Sequence, residues 1–385
     1  MITSAALVFT VLATSPVADI QKVNETDRAR ALVKQLGDRN FKVRDAAERE
    51  LIELGTASLD ALKEGEQSTD VHVIDRCRAL QPMIRELTLR RRIDDFIANR
   101  GEVNPKDLPL AETFLKSTGD TKEARTLFAD VLTRHSSLLD LIARDKKKGL
   151  DQFTTYCQEV AQRMQFVRGV DPMAQRMNIT QSDVSMYMLI AIELSADKTG
   201  RVASNAYPFL QAPSLKETLA KDTPENLPFK KLFMVWLEKE PQPHMVHQAL
   251  QIAVDVKMKE AVPILLNAVK NKTTPIYSRA QTALLLAKVG EKEHLKEIEP
   301  LLEDKTVVGN FGVNNKQGTV QMRDVALAVS IKLNGQKMAD YDFDVMQGSD
   351  ENLYQSYIYC AFSSSEKRDA AHAKFKEWKA KQEKK

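Results

Sequence analysis

The sequence predicts an all-α chain built from antiparallel helical hairpins, and three observations carry that prediction. Leu, Ala, Lys, Glu, Gln and Arg dominate the composition, while Gly and Pro contribute only 14 each to 385 residues and aromatics only 6%. These are helix formers with little to interrupt them. Apolar residues recur at spacings of three and four along most of the chain, the period of a helix with one buried face. Finally, one short pattern returns three times, each time behind another amphipathic helix.

Taken in order, the N-terminus comes first. Ala5 to Ala13 (AALVFTVLA) is an uninterrupted, weakly apolar run with small residues suited to cleavage after Ala13. It reads as a short secretory signal, although no Lys or Arg precedes it. At this length it cannot span a bilayer, and no other stretch reads as transmembrane. Residues 1–18 are thus expected to be a signal peptide or a disordered N-terminus. The protein is exported, to the periplasm or beyond the cell, if the signal functions, and cytoplasmic otherwise.

The repeated pattern begins with Arg28 to Leu36 as a first helix. Val43-Arg44-Asp45-Ala46-Ala47-Glu48-Arg49-Glu50-Leu51-Ile52-Glu53-Leu54-Gly55 follows as the second. Its counterparts are Ser278-Arg279-Ala280 through Gly290, behind Ala261 to Val269, and Met322-Arg323-Asp324-Val325-Ala326 through Gly335, behind Leu295 to Leu302. Val43, Ala47, Leu51 and Leu54 form one face, small Ala residues allow close helix approach, and the closing Gly is expected to supply a left-handed helix stop. A weaker hairpin starts at Leu59 and Leu62. Its second helix, carrying Val73, Cys77, Leu80, Ile84 and Leu87, continues through Ile93, Phe96 and Ile97 as a long connector.

These residues, above all Gly37-Asp38 and Phe41 to Ala47 with their two C-terminal counterparts, resemble HEAT-repeat proteins over residues 27–90 and 245–335. The whole chain also resembles exported bacterial HEAT-repeat proteins of unknown function, through Arg323 to Ala328 before a C-terminal helix. The resemblance implies an α-α superhelix, a HEAT-like solenoid of antiparallel hairpins, with an Asp and an Arg near each inter-helix turn tying neighbours together. Asp38 and Arg44 fill those places; the middle copy has no acid before Arg279. A HEAT-like fold says almost nothing about activity.

Residues 27–98 are therefore read as N-terminal hairpins, 99–240 as a diverged helical region, 241–335 as C-terminal repeats, and 336–385 as an acidic loop and terminal helix. In the middle region Phe153, Tyr156, Cys157 and Val160 mark one helix. Ser182 is expected to cap a buried one running from Val184 to Leu194. The terminal helix, Ser364 to Lys385, is expected to pack through Ala370, Phe375 and Trp378. An insert at 305–320 breaks the rhythm: short apolar runs around Asn314-Asn315 predict a short β-hairpin.

Candidate chemistry is sparse. His244 and His247 lie three apart, but no third ligand falls at a recognised spacing, so no metal is assigned. Asp340, Asp342, Asp344 and Glu351 match positions 1, 3, 5 and 12 of a calcium loop, yet Val345 stands where that loop needs Gly. Cys77, Cys157 and Cys360 are far apart, without a CxxC or a disulfide framework, and no catalytic or cofactor-binding residue is assigned. The near balance of 56 basic and 53 acidic side chains argues against a dedicated nucleic-acid binder. The local basic runs Arg90 to Arg92, Lys146 to Lys148 and the tail from Lys374 read as solvated helix faces.

The reading that results is a non-catalytic interaction or scaffold protein with a protein partner. The alternatives are a hydrolase-like enzyme with its site in the middle region, or nucleic-acid binding on the basic runs. The insert is the candidate partner contact, through Val307, Val308, Phe311 and Val313 beside the amides of Asn310, Asn314 and Asn315. Its competing role is to fold back and cap the end of the array. For the N-terminus the expected outcome is a mature chain lacking its first apolar segment. Intact-mass measurement on native protein tests this, and a cytosolic protein that retains Met1 contradicts it.

Overall fold

The computed structural model describes residues 16–100, 103–167, 179–195, 200–240, 242–313, 316–345 and 355–382. The apolar run expected to be a signal, Asn314, Asn315 and Glu351 lie outside the described residues, and Val313 is described by its backbone alone. The fold is mostly α, with one antiparallel pair of strands among the described residues. No described helix is long and apolar enough to cross a membrane. The chain divides into two compact units, Met1–Val103 and Asn104–Lys385.

The first unit is two helical hairpins: α1 (Pro16–Gln35) with α2 (Phe41–Leu54), and α3 (Leu59–Gly65) with α4 (Val71–Ile97). Each second helix starts the same way. Asn40 accepts from the Lys42 N–H and Asp70 from the His72 N–H, satisfying donors that the helix start leaves open. Arg44 turns back to donate to the Asp38 and Arg39 carbonyls at 2.8 and 3.0 Å, so it fastens its own turn. Gly55 ends α2 at φ 58°, the left-handed stop expected. Leu32, Leu36, Ala47, Leu51, Leu62 and Cys77 lie in one buried cluster. The weaker second hairpin is thus built on the same plan as the first, and α4 is one continuous helix.

The second unit is organised around α8 (Gln181–Glu193). It packs among α5 (Ala111–Thr118), α6 (Lys122–Arg144), α9 (Tyr207–Leu210), α10 (Pro213–Leu219) and α11 (Leu227–Lys239), while α7 (Lys146–Val167) packs on α6. Every residue of α8 from Val184 to Ile192 is buried, as a helix apolar all round requires. Tyr187 stacks on Phe209 at 4.7 Å and meets Trp236 edge-on at 5.9 Å. The cap of α8 is Thr180, not Ser182. Thr180 and Asp183 form a reciprocal capping box and leave Ser182 buried, because Asp183 stands at the third helical position, where its carboxylate reaches back.

Next come α12 (Pro243–Asp255), α13 (Val262–Lys270), α14 (Ile276–Val289) and α15 (Leu295–Ile298). The chain continues through β1 (Val307–Val313), β2 (Lys316–Gln321), α16 (Met322–Leu333) and α17 (Ser365–Gln382). α14 packs against α12, α13 and α16. Arg279 donates Nε to the Val269 carbonyl at 2.8 Å, and its Nη2 lies 4.0 Å from Asp304. The acid missing before Arg279 is thus supplied by the turn that follows. Gly290 departs from the expected left-handed stop, with φ −73°. A side chain there would put a Cβ 2.7 Å from the Leu286 carbonyl oxygen, so crowding at the helix end is what suits Gly.

The expected β-hairpin forms, with Asn310 opposite Thr319 and Phe311 opposite Gly318. Thr319 also exchanges backbone hydrogen bonds with Phe362, at 3.1 and 3.3 Å, which fastens β2 to the segment before α17. Arg368 of α17 reaches both carboxylate oxygens of Asp324 at 3.0 Å and the Thr319 carbonyl at 2.7 Å. On α17 the buried alanine is Ala371; Ala370 is exposed, because the buried stripe passes through Arg368, Ala371 and Phe375 at helical spacing.

Gly65 of α3 sits tightly against α4 and α1. A Cβ there would lie 2.6 Å from Cys77 Sγ and 2.7 Å from Val33 Cγ1. Gly65→Ala is expected to cost about 1–3 kcal/mol, read as a lower urea midpoint, whereas Gly312→Ala, with open space around it, moves the midpoint far less. Equal midpoints for the two variants would contradict this packing.

Candidate functional site

The strongest candidate is a groove of about 550 Å³ between the C-terminal end of α11 and helices α12 to α14. Three kinds of surface meet in it. Val246, Pro263, Ile264 and Ala268 supply apolar contact, and Asn267 and Asn271 of the α13 end supply amides. Thr274, in the turn before α14, and Ser278 and Thr282, one turn apart on α14, line the third side.

Ser278 is 9% exposed and Thr282 3%, and neither hydroxyl has a hydrogen-bond partner among the described residues. Among the described residues the hydroxyls of Ser185 and Ser330 also lack a partner, but those are closed inside the fold, whereas the oxygens of Ser278 and Thr282 open onto the groove. Thr118, Thr126, Thr133 and Thr154 each donate to the carbonyl one turn back, the ordinary refuge of a helical hydroxyl. Ser278 and Thr282 face the groove instead.

Leu237, Glu238 and Glu240 complete the lining. Glu240 accepts from the Gln242 N–H at 3.0 Å. Burial raises its carboxyl above the ordinary value; the Gln242 N–H opposes that, as does the Trp236 indole, which faces the carboxyl without closing a well-directed hydrogen bond. Neither acid has a cation partner among the described residues, and no Lys or Arg lines the groove. Two nearby cations are committed elsewhere: Lys270 pairs with Glu297, and Arg279 holds the Val269 carbonyl.

The insert residues have other surroundings. Val307 is 47% exposed and Val308 half-buried beside a bulge. Asn310 is exposed, its side-chain oxygen accepting from Thr319 Oγ1 at 3.0 Å. Phe311 is half-buried against the Tyr357 ring at 5.8 Å. The second strand is held from behind, with Val320 fully buried and a Gly318 Cβ excluded by Val345 at 2.3 Å.

In the acidic loop, Asp344 turns inward. It accepts from the Ser363 N–H at 2.9 Å and pairs with Lys367 at 2.7 Å, while Asp342 adopts φ 50°. Tyr341 packs on Phe375, and Phe343 stacks on Phe362 at 4.7 Å. His244 is exposed; His247 is half-buried, with burial lowering its pKa. The three thiols are all buried and free, and burial pushes each of them up.

In the middle region an imidazole, a carboxylate and a phenol converge. His135 Nε2 lies 2.9 Å from Asp183 Oδ1, too oblique for a well-directed hydrogen bond, and the Tyr156 hydroxyl donates to the same oxygen at 3.3 Å. His135 also interrupts α6, at φ −127° and ψ 19°. Asp183 is engaged from the other side as well, accepting from the Thr180 N–H and hydroxyl at 2.7 Å each. The cluster joins a helix kink to a helix cap.

Comparison with family models, with curated proteins and with solved structures finds no match to this chain. The groove therefore has to be read on its own chemistry.

Asp183 and Asp344 make a prediction about acid. Burial works to raise both carboxyls, but the close His135 imidazole and the Thr180 hydrogen bonds on one, and Lys367 and Ser363 on the other, outweigh it and hold each at about 2. Folded-state values below the unfolded ones mean stabilisation that is fully present above about pH 4 and lost as pH falls toward 2. Asp183→Asn is expected to remove about 2 kcal/mol at neutral pH and to flatten this acid limb of the urea midpoint against pH. An unchanged acid limb in the variant would remove Asp183 from this account.

Proposed function

We propose that this chain is a non-catalytic binding protein whose helical hairpins, arranged as a HEAT-like α-solenoid, receive a segment of a protein partner in the groove between α11 and α14. The observation that carries this is the pair of mostly buried, unpartnered hydroxyls, Ser278 and Thr282, on a wall shared with Asn267 and Asn271. Both hydroxyl oxygens open onto the groove, where an incoming ligand can bond them without breaking a hydrogen bond of the fold. A ligand that supplies hydrogen-bonding groups to that wall gives the arrangement a purpose. The volume is within the usual range for ligand clefts, about 300–1,000 Å³. Strand β1 lies beside α14, so Val307 and Asn310 give the partner a second exposed contact.

The competing chemistries have less support. A hydrolase would draw on the middle-region cluster, where Thr180 occupies one carboxylate oxygen of Asp183 and Tyr156 the other. A nucleic acid would require free basic runs, whereas Arg90 pairs with Glu86 and Lys146 with Glu193. A phosphate backbone would also be repelled by the acids of the groove.

Selection of a displayed random-peptide library against the full chain tests the proposal. The expected outcome is enriched peptides that bind the folded protein and lose about tenfold or more in affinity to the Ser278→Ala, Thr282→Val double variant. Enriched peptides indifferent to that variant, or a library that yields no binder, would overturn the groove as a peptide site.

A further inference from the structure

Resting on the reading of the groove as a peptide site, we propose that its occupant presents a lysine ammonium to Glu240, with the lysine's aliphatic stem laid along Val246 and Ile264. The argument begins with charge. Glu238 and Glu240 are the charged side chains of the lining, and neither has a cation partner among the described residues. Glu240 is held half-buried, and its Gln242 N–H contact occupies only part of the carboxylate's accepting capacity. A buried carboxylate without a counter-ion is costly, and an incoming cation relieves that cost.

Shape selects among cations. The floor formed by Val246, Pro263, Ile264 and Ala268 is apolar, which matches a methylene stem ending in a charged head. Thr274 in the turn before α14, and Ser278 and Thr282 one helical turn apart on it, form the wall with their hydroxyls. Hydroxyl and amide oxygens both accept, so an ammonium with three donors is served by a carboxylate and neutral oxygens together. An acidic or phosphorylated segment would place like charge against Glu238 and Glu240 and find no basic residue in the lining. The second observation, independent of charge, is again the pair of unpartnered hydroxyls at 9% and 3% exposure facing the same space.

The test uses the full-length chain and two probes, Nα-acetyl-lysine methylamide and its neutral counterpart Nα-acetyl-norleucine methylamide. Threonine-methyl NMR reads the Thr274 and Thr282 signals during each titration. The expected result is saturable shifts at both methyls, with the lysine probe binding about tenfold or more tightly than norleucine. Glu240→Gln should remove that difference while leaving the spectrum of the free protein folded. Equal affinity for the two probes, or shifts confined to other threonines, would overturn the proposal. Should selected peptides occupy the groove without any basic residue, the lysine assignment falls and the peptide site stands. Should neither selected peptides nor probes reach Thr282, the peptide site falls with it.

Discussion

A buried polar group must find a partner, and most of this molecule's fixed points follow from that requirement. Asp324 is the extreme case. It is fully buried, 0% exposed, and accepts from the Arg368 guanidinium and the Gln321 N–H. The same guanidinium holds the Thr319 carbonyl and lies over the Phe362 ring. One ion pair thereby brings together the start of α16, the second strand of the insert and the terminal helix. Removing one member of such a pair strands the other, at a cost of about 3–5 kcal/mol, even where the intact pair adds little net stability.

The same rule governs the hairpin turns. Arg44 closes on the carbonyls of its own turn, Arg279 on the Val269 carbonyl and toward Asp304, and Arg323 on Gln321 and Asp369. Each Arg sits near the start of its helix, where unpaired carbonyls of the preceding turn are within reach. α14 then has two unlike sides: Arg279 is consumed in holding the turn, while Ser278 and Thr282 have nothing to hold. Ser185 and Ser330 also lack a partner; what sets Ser278 and Thr282 apart is that they open onto the groove, and local departures from folding consistency are expected where function requires them.

Much of the architecture was legible in the sequence. The α2 face through Ala47 and Leu51, the closing Gly55, the long α4, the buried α8 and the β-hairpin insert are local patterns whose period and turn residues specify the element. What escaped depended on which group each side chain or backbone atom meets in the folded chain. The cap of α8 was assigned to Ser182 because it stands next to the apolar run; only the reach of Asp183 back to Thr180 distinguishes them. Ala371, not Ala370, lies on the buried stripe of α17 with Arg368, whose partner Asp324 is 44 residues away in sequence. Gly290 matched the other terminal glycines in position but not in backbone conformation.

The groove left a fainter trace. Ser278 and Thr282 are spaced one helical turn apart on α14, as Asn267 and Asn271 are at the end of α13, so part of the pattern was present. The sequence alone does not say which helical hydroxyls bond to the carbonyl behind them and which stay open, and that difference separates Thr118 from Thr282. The insert drew attention because it interrupts the repeat, but its second strand has a firm structural duty at Gly318 and Val320.

The central claim is that Ser278 and Thr282 are kept for a ligand and not for the fold. Equilibrium unfolding of the Ser278→Ala, Thr282→Val double variant in the absence of any ligand measures this most directly. If the hydroxyls have no partner in the folded protein, replacing them with apolar groups of similar shape leaves the stability unchanged or raises it. A loss of about 1–3 kcal/mol, the cost of breaking a buried hydrogen bond, would show that the hydroxyls serve the fold and would contradict the account.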